Sequence, residues 1–252
     1  EVLYSGAFGS GKSFSVAARL MIRAVRPGAR EGLARKHLVT LKATTLRTLV
    51  EGDGAMPPVL PEGCYAHNKS EKTIILMGGG QIVYFGLDET SKISSYILSG
   101  CAVDQAEELD EADWRMLRGR VRLEVPGLNP QIYAACNPSS PAHFLAQRFG
   151  LGGNPADAGC VAVSTCSADN WFLPQSYLAD LATFTGVARA RYVEGRWVGN
   201  EGLVYADFDP AVHVRAREGV AWKRAVAGVD WGLQNPSVVL TLCQDESGAV
   251  HV

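Results

Sequence analysis

The residues with the clearest chemical purpose lie near the start of the chain, where residues 6–13 read GAFGSGKS. This spacing satisfies G-x-x-x-x-G-K-[ST], the phosphate-binding P-loop. Glycines in such a loop let backbone N–H groups turn towards phosphate oxygens, and the following helix directs its positive dipole end at them. The motif therefore predicts binding of a nucleoside triphosphate by Gly6, Ala7, Phe8, Gly9, Ser10, Gly11, Lys12 and Ser13.

Two side chains of this loop have specific expected roles. Lys12 is expected to reach the β- and γ-phosphates, and the Ser13 hydroxyl is expected to bind Mg²⁺. Asp104 would complete the coordination of that ion, since it follows an apolar run at residues 101–103. An acid at the tip of a buried strand downstream of a P-loop has the position of a Walker B aspartate. An acid in a surface turn is the alternative interpretation of Asp104.

Further polar residues follow two of the apolar runs, at residues 101–103 and 131–136. Gln105 comes directly after Asp104, and Glu107 and Glu108 lie on the same turn. A carboxylate can accept a proton from an attacking water, whereas an amide can only orient it. Asn137 follows another apolar run at residues 131–136 and could sense the γ-phosphate, although an Asn-Pro pair is equally typical of a loop.

The elements that must position these residues alternate between strand and helix, which predicts an α/β fold with a central sheet and flanking helices. Strands are predicted at residues 2–4, 32–36, 72–77, 81–85, 101–103, 131–136 and 161–165. Helices are predicted at residues 14–24, 40–49, 110–121 and 174–181. Three glycines join the strands at 72–77 and 81–85 into a hairpin, which interrupts the alternation.

The last part of the chain has a different pattern. Residues 199–219 read as a linking segment, and residues 225–230 then form a predicted strand that ends in Asp230. Partner strands are expected at residues 238–243 and 249–252. We therefore expect a new unit to begin near residue 222.

Composition is that of a globular protein. The chain has 252 residues, of which 47% are hydrophobic and 20% charged, and its formal net charge is −2. This balance argues against a wholly basic nucleic-acid coat, but basic residues cluster between positions 19 and 47. Such a cluster could track a phosphate backbone or could form a solvated surface. Its members are Arg19, Arg23, Arg26, Arg30, Arg35, Lys36, Lys42 and Arg47.

The six cysteines show no C-x-x-C spacing, so neither a zinc site nor a disulfide framework is expected. Cys101, Cys136 and Cys243 lie in apolar runs and are predicted to be buried, reduced thiols of a cytosolic protein. No signal peptide or membrane span appears. Because the chain starts on a strand without an initiator Met, we expect further residues upstream.

Taken in order, these motifs resemble the large terminase subunit of tailed bacteriophages, the motor that packages viral DNA. The resemblance covers most of the chain. The motifs that carry it are GAFGSGKS, LARK at 33–36 with its following helix, GQIVYFGLD at 80–88, Lys92-Ile93, VDQAEEL at 103–109, CNPS at 136–139, GRW at 195–197 and GVDWG at 228–232.

The resemblance implies a RecA-like (ASCE) P-loop ATPase domain over residues 1–198, a linker over 199–222 and the start of an RNase H-like nuclease domain over 223–252. It further implies ATP and Mg²⁺, double-stranded DNA, a portal protein, a small terminase subunit and a homo-oligomeric ring on the procapsid. The expected location is the host cell cytoplasm, with no membrane partner. Asp230 matches the first metal-binding acid of the nuclease. The other nuclease acids would lie beyond this sequence, so the chain itself is not expected to cut DNA.

Two positions depart from the family pattern. Phe8 stands where these P-loops commonly carry a basic residue, and Gln105 stands where the resemblance places the water-activating Glu. Three explanations for Gln105 stay open: Glu107 or Glu108 takes over its role, the Gln positions water unaided, or the Gln is an engineered block. The sequence favours the first. Candidates for an arginine acting in a neighbouring subunit, chosen by position alone, are Arg118, Arg120 and Arg122.

Two other functions remain compatible with the sequence. One is a P-loop nucleic-acid translocase of helicase or recombinase type. The other is a nucleotide-binding assembly module in which Gln105 marks impaired hydrolysis.

Overall fold

A computed structural model describes residues 1–52, 57–88, 93, 95–199, 221–231 and 237–251. The chain divides into two units, Glu1–Glu201 and Gly202–Val252. Most of the predicted linker, together with Lys92 and Gly232 of the quoted motifs, lies outside the described residues. The predicted domain boundaries therefore stay predictions.

An eight-stranded sheet in the order β3-β4-β5-β2-β6-β7-β1-β8 forms the centre of the first unit. All neighbours from β5 to β8 in this order pair in parallel, whereas β3 and β4 pair antiparallel at one edge. The mixed α/β fold predicted from the sequence is thus confirmed. The strands are β1 (Val2–Gly6), β2 (Arg30–Arg35), β3 (Tyr65–Asn68), β4 (Thr73–Leu76), β5 (Gln81–Gly86), β6 (Gly100–Val103), β7 (Gln131–Cys136) and β8 (Val161–Thr165).

Alternate residues of the central strands point to opposite faces of this sheet and enter two hydrophobic cores. Helices therefore cover both faces. In β7, Ile132 and Ala134 enter one core, and Tyr133 enters the other. The described helices are α1 (Lys12–Ala24), α2 (Leu38–Ala43), α3 (Thr45–Val50), α4 (Glu111–Arg120), α5 (Phe144–Arg148), α6 (Gln175–Ala182) and α7 (Gly186–Tyr192). Short 3₁₀ turns occupy Ala106–Glu108 and Ser167–Asp169.

Local sequence explains the start of α4. Asp110 accepts a hydrogen bond from the backbone N–H of Asp113 at 2.9 Å, and the Asp113 carboxylate accepts one from the Asp110 N–H at 3.2 Å. This reciprocal capping box starts the helix within one residue of its predicted position.

The single helix predicted over residues 40–49 is wrong, because α2 and α3 are separate. Thr44 has φ −118° and ψ −93°, outside the helical region, and its hydroxyl donates to the Thr40 carbonyl at 2.7 Å. Hydroxyl side chains compete in this way with backbone hydrogen bonds. The break has a consequence for the site, since Thr45 is buried and turned towards the end of β6. Strand β3 and helices α5 and α7 were not predicted.

The second unit is an antiparallel meander of β9 (Trp222–Asp230), β10 (Val238–Asp245) and β11 (Val250–His251). The three strands predicted at residues 225–230, 238–243 and 249–252 are thus confirmed. Asp230 ends β9 opposite Val238.

The six cysteines are free thiols, and Cys101, Cys136 and Cys243 are buried as predicted. Among the described residues, no helix combines the length and the apolar character needed to cross a bilayer.

Candidate nucleotide-binding site

The P-loop connects β1 to α1, and two of its glycines adopt a backbone conformation that other residues rarely adopt. Gly9 has φ 70° and Gly11 has φ 84°, both in the left-handed region that favours glycine. Gly11 caps α1 without a side-chain hydrogen bond, so the N–H groups of the first turn remain available to an anion. A Cβ on Gly6 would clash with Thr165 Oγ1, which explains why this position has no side chain.

Ser13 and Asp104 meet although 91 positions separate them in the chain. The Ser13 hydroxyl donates to Asp104 Oδ1 at 3.1 Å, and the Asp104 backbone N–H donates to the Ala34 carbonyl at 2.9 Å. Asp104 is only 4% exposed, and its Oδ2 accepts a hydrogen bond from the buried Thr45 hydroxyl. A hydroxyl and a carboxylate side by side are oxygen ligands of the kind that Mg²⁺ prefers, so these residues fit the ion.

Lys12 folds back over the loop, where its ammonium donates to the Ala7 carbonyl at 3.0 Å. Burial lowers the pKa of Lys12, and the nearby carboxylates of Glu107 and Asp104 act in the opposite direction. The lysine thus lies between the loop and the acids that follow β6.

Glu107 and Asn137 lie together on the side of the site that follows β6 and β7. Asn137 Nδ2 donates to Glu107 Oε1 at 2.5 Å and to Gln105 Oε1 at 3.0 Å. Burial raises the pKa of Glu107, and the hydrogen bond from Asn137 and the charge of Lys12 act in the opposite direction. Glu107 Oε2 and Asn137 Oδ1 are both buried and accept no hydrogen bond within the part of the chain that the structure describes. Gln105 itself has φ 50°, a left-handed conformation that is uncommon for a residue other than glycine.

Glu108 turns away from this group and pairs with Arg35. Its two carboxylate oxygens accept hydrogen bonds from Arg35 at 2.6 and 3.0 Å. This hydrogen-bonded carboxylate raises the pKa of Arg35. Of the two glutamates that the sequence offered, only Glu107 lies beside Asn137 and Lys12.

Residues after β8 contact the P-loop through ring stacking and hydrogen bonds. The sequence did not predict these contacts. Phe8 stacks on Tyr192 with ring centroids 4.5 Å apart and planes inclined by 9°. The Ser167 hydroxyl donates to the Phe8 carbonyl at 2.7 Å, and Asn170 Nδ2 donates to the Gly9 carbonyl at 2.6 Å. Phe8 therefore packs against the protein rather than facing a phosphate.

The GRW motif supports the start of the same loop. Gly195 has φ 71°, and a Cβ there would clash with the Thr165 carbonyl oxygen. Trp197 donates from its indole N–H to the Ser5 hydroxyl at 2.8 Å, and both residues are buried. This motif was recognised in the sequence, but its role as a support of β1 was not.

The basic cluster of residues 19–47 is not wholly a solvated surface, because Arg19 and Arg23 pack inward, and phosphate-backbone binding by the cluster stays a prediction. Arg23 is 8% exposed and pairs with the fully buried Glu31 at 3.0 Å. Arg19 donates to the Tyr4 hydroxyl and the Gln131 side chain. In helix α1, positions 19 and 23 are one turn apart on the same inward face.

The remaining predicted residues lie away from the P-loop contacts. Arg118 pairs with Glu1 at 2.9 Å, and Nε of Arg120 is buried without a hydrogen-bond partner among the described residues. Asp230 is exposed at the end of β9. Across the described ranges, no group of three or more His, Cys, Asp or Glu side chains could hold a metal ion.

A sequence model described as phage terminase large subunit matches residues 1–194. Among solved structures, the large terminase from a thermophilic bacteriophage in complex with ADP aligns with a TM-score of 0.62 and 20% identity. That alignment covers 96% of this chain and 59% of the phage protein. The same phage terminase in complex with ATP-γ-S gives a TM-score of 0.60 at 20% identity, over 96% of this chain and 58% of that one.

The ATPase domain of the Thermus phage P74-26 large terminase aligns over 78% of this chain and 88% of that domain, with a TM-score of 0.53 and 13% identity. At these identities the likeness concerns the fold. The present chain spans about three fifths of the length of the nucleotide-bound phage terminases. No curated protein matches the chain.

Proposed function

The chain belongs to the phage terminase large-subunit family, and from this membership we propose that its first unit hydrolyses ATP to drive double-stranded viral DNA into a procapsid. The observation that carries the ATPase part of the proposal is the contact between Ser13 and Asp104 at 3.1 Å. It joins the P-loop to the end of β6 and leaves two oxygen ligands together in a mostly buried position. The phage terminases bound to ADP and ATP-γ-S supply the nucleotide class for the proposal.

In this proposal the loop residues hold and orient the triphosphate. The free backbone N–H groups after Gly11 donate hydrogen bonds to phosphate oxygens. The Lys12 ammonium leaves the Ala7 carbonyl and binds a phosphate oxygen instead. Ser13 and Asp104 would hold Mg²⁺, which supplies electrostatic stabilisation of the phosphoryl group. Thr45 keeps the Asp104 carboxylate in place through its hydrogen bond to Oδ2.

We propose Glu107 as the general base that accepts a proton from the attacking water. Its Oε2 is buried and unpartnered among the described residues, whereas Oε1 is fixed by Asn137. A raised pKa suits a base, since it increases the proton affinity of the carboxylate. Glu108 is unsuited, because Arg35 occupies both of its oxygens. Gln105 shares Asn137 with Glu107 and would help to align the amide.

The wider packaging role follows from family membership. We propose a homo-oligomeric ring on the procapsid, with a portal protein and a small terminase subunit as partners and the host cytoplasm as the location. We also propose that Asp230 is the first metal-binding acid of an RNase H-like nuclease. The three-stranded meander that carries Asp230 at its strand end is compatible with this role.

Phosphate release by the purified chain tests the ATPase proposal. We expect Mg²⁺-dependent hydrolysis that Lys12→Ala and Asp104→Asn both abolish without loss of folded structure. Lys69→Ala is the matched control, because Lys69 is an exposed lysine of the β3–β4 hairpin. Binding of ATP without hydrolysis by the unmodified chain would favour the assembly-module alternative instead. Packaging of DNA into empty procapsids separates the motor from a helicase-like translocase.

A further inference from the structure

Two large aromatic side chains, Trp171 and Phe172, are exposed next to the P-loop and have no part in the proposed hydrolysis. Their exposed fractions are 88% and 85%, and their rings meet edge to face with centroids 6.5 Å apart. Two large apolar side chains exposed side by side form the kind of surface patch that marks a binding site. We propose that this pair, the aromatic pair, is the platform on which the base of the bound nucleotide stacks. The inference rests on the proposed function, whose nucleotide it orients.

The aromatic pair is held at a fixed position relative to the P-loop. Asn170 Nδ2 donates to the Gly9 carbonyl at 2.6 Å, and Asn170 Oδ1 accepts from the Phe172 backbone N–H at 3.1 Å. One side chain thus ties the loop to the backbone of the pair. Leu173 lies against the same glycine, since a Cβ on Gly9 would be 2.9 Å from Leu173 Cδ1. Leu173 faces the loop while its two predecessors face solvent.

Sheet topology places the aromatic pair on the side of the P-loop where a base would lie. Parallel strands end at one edge of the sheet, and the order there is β6-β7-β1-β8. Asp104 follows β6 on one side of β1, and the aromatic pair follows β8 on the other. A triphosphate whose terminal phosphate faces Ser13, Asp104 and Glu107 directs its nucleoside away from β6. The segment after β8 is the part of the described sheet edge in that direction.

The chemistry of the pair predicts affinity for bases without selection among them. Every base has a π-face, so aromatic stacking is tolerant of base identity. Near Trp171, the Asn170 amide is already committed to the P-loop and to the Phe172 backbone. We therefore expect ATP and GTP to bind with similar affinity, and inorganic tripolyphosphate to bind without using the pair.

Equilibrium binding with Mg²⁺ tests the inference in the full chain. Trp171→Ala and Phe172→Ala should each raise the Kd for ATP and GTP about tenfold and leave the Kd for inorganic tripolyphosphate unchanged. Trp231→Ala is the matched control, because Trp231 is 81% exposed in the second unit. A second readout is tryptophan fluorescence. ATP should quench it, tripolyphosphate should not, and Trp171→Phe should remove the quenching.

The outcomes separate the two proposals. If the unmodified chain binds neither ATP nor tripolyphosphate, the proposed function itself fails. If it binds both and the two alanine variants bind ATP as tightly as the unmodified chain, the base platform is refuted while the ATPase proposal stands. If the variants bind ATP normally but lose ring assembly or DNA-stimulated hydrolysis, the aromatic pair belongs to a macromolecular contact, and the inference is likewise overturned.

Discussion

Replacing Glu107 by Gln tests the assignment of the general base. The substitution changes a carboxylate oxygen to an amide nitrogen at almost constant volume. The remaining amide oxygen can still accept from Asn137 Nδ2, whose present bond to Oε1 is 2.5 Å. The amide nitrogen then occupies the place of Oε2, which has no hydrogen-bond partner to lose among the described residues. Nucleotide binding should therefore persist.

The expected loss in turnover is large. A positioned general base contributes about 10²–10⁴-fold to a rate. At about 1.4 kcal/mol for each factor of ten, this corresponds to a barrier increase of about 3–5 kcal/mol. The matched control Glu108→Gln weakens the partly exposed pair with Arg35, which lies away from Asn137, and should change turnover by less than about threefold.

The raised pKa of Glu107 gives the same variant two pH signatures. A base must be ionised, so turnover of the unmodified chain should fall as pH decreases through the folded-state pKa, and Glu107→Gln should lack this limb. For stability the sign is opposite. A carboxylate whose pKa is raised on folding favours the folded state below its unfolded pKa of about 4.3, and this contribution is lost as pH rises through the folded pKa. Glu107→Gln should therefore raise the melting temperature at a pH of about 7.5.

Single-turnover phosphate release, with binding measured separately, is the assay for this variant. Turnover within about threefold of the unmodified chain would refute Glu107 as the base. A loss of nucleotide binding in parallel with turnover would show that Glu107 supports the site rather than the chemistry. A greater loss in Glu108→Gln than in Glu107→Gln would show that the acid was assigned to the wrong residue.

Three further substitutions test other parts of the structure. Gln105→Glu should give no gain in turnover and should shift the acid limb of the pH profile upwards, because a second carboxylate on the same amide raises the pKa of the base. Arg23→Met should lower the free energy of unfolding by about 3–5 kcal/mol in urea titrations, since it leaves the buried Glu31 carboxylate without its ion-pair partner. Trp197→Phe should cost about 1–3 kcal/mol in the same assay, because it leaves the buried Ser5 hydroxyl without its donor.

Each of these has a contrary result. A large gain of turnover in Gln105→Glu would show that the amide blocks hydrolysis. Arg26→Met is the control for Arg23→Met, because Arg26 is an exposed arginine just beyond the same helix, and equal stability of the two variants would contradict the buried ion pair. For Trp197→Phe, stability matching that of the exposed control Trp231→Phe would remove the support assigned to the GRW motif.

The P-loop could be predicted because its function depends on local sequence. A strand, the required glycines and a helix follow one another within residues 2–24, and Gly9 and Gly11 adopt the backbone that they alone adopt easily. The position of Asp104 could be predicted for a similar reason, since it directly ends an apolar run. Its hydroxyl partner Thr45 could not be predicted, because the break between α2 and α3 turns that side chain inward.

The sequence also could not predict which of Glu107 and Glu108 faces Asn137. Both lie in a 3₁₀ turn, where successive side chains point about 120° apart. Which one faces Asn137 depends on the left-handed backbone of Gln105, and local propensity gives no sign of that conformation. The inward packing of two arginines of the basic cluster could not be predicted for another reason. The one-turn spacing of Arg19 and Arg23 predicts a shared face, but its inward direction depends on Glu31, a residue of the next strand.

The central claim is that the P-loop and Asp104 bind one metal–nucleotide complex. The most direct test is the affinity for ATP-γ-S with and without Mg²⁺, in the unmodified chain and in Asp104→Asn. We predict that Mg²⁺ tightens binding about tenfold or more in the unmodified chain, and that this gain disappears in Asp104→Asn while metal-free binding persists. An equal gain from Mg²⁺ in both proteins would contradict the claim.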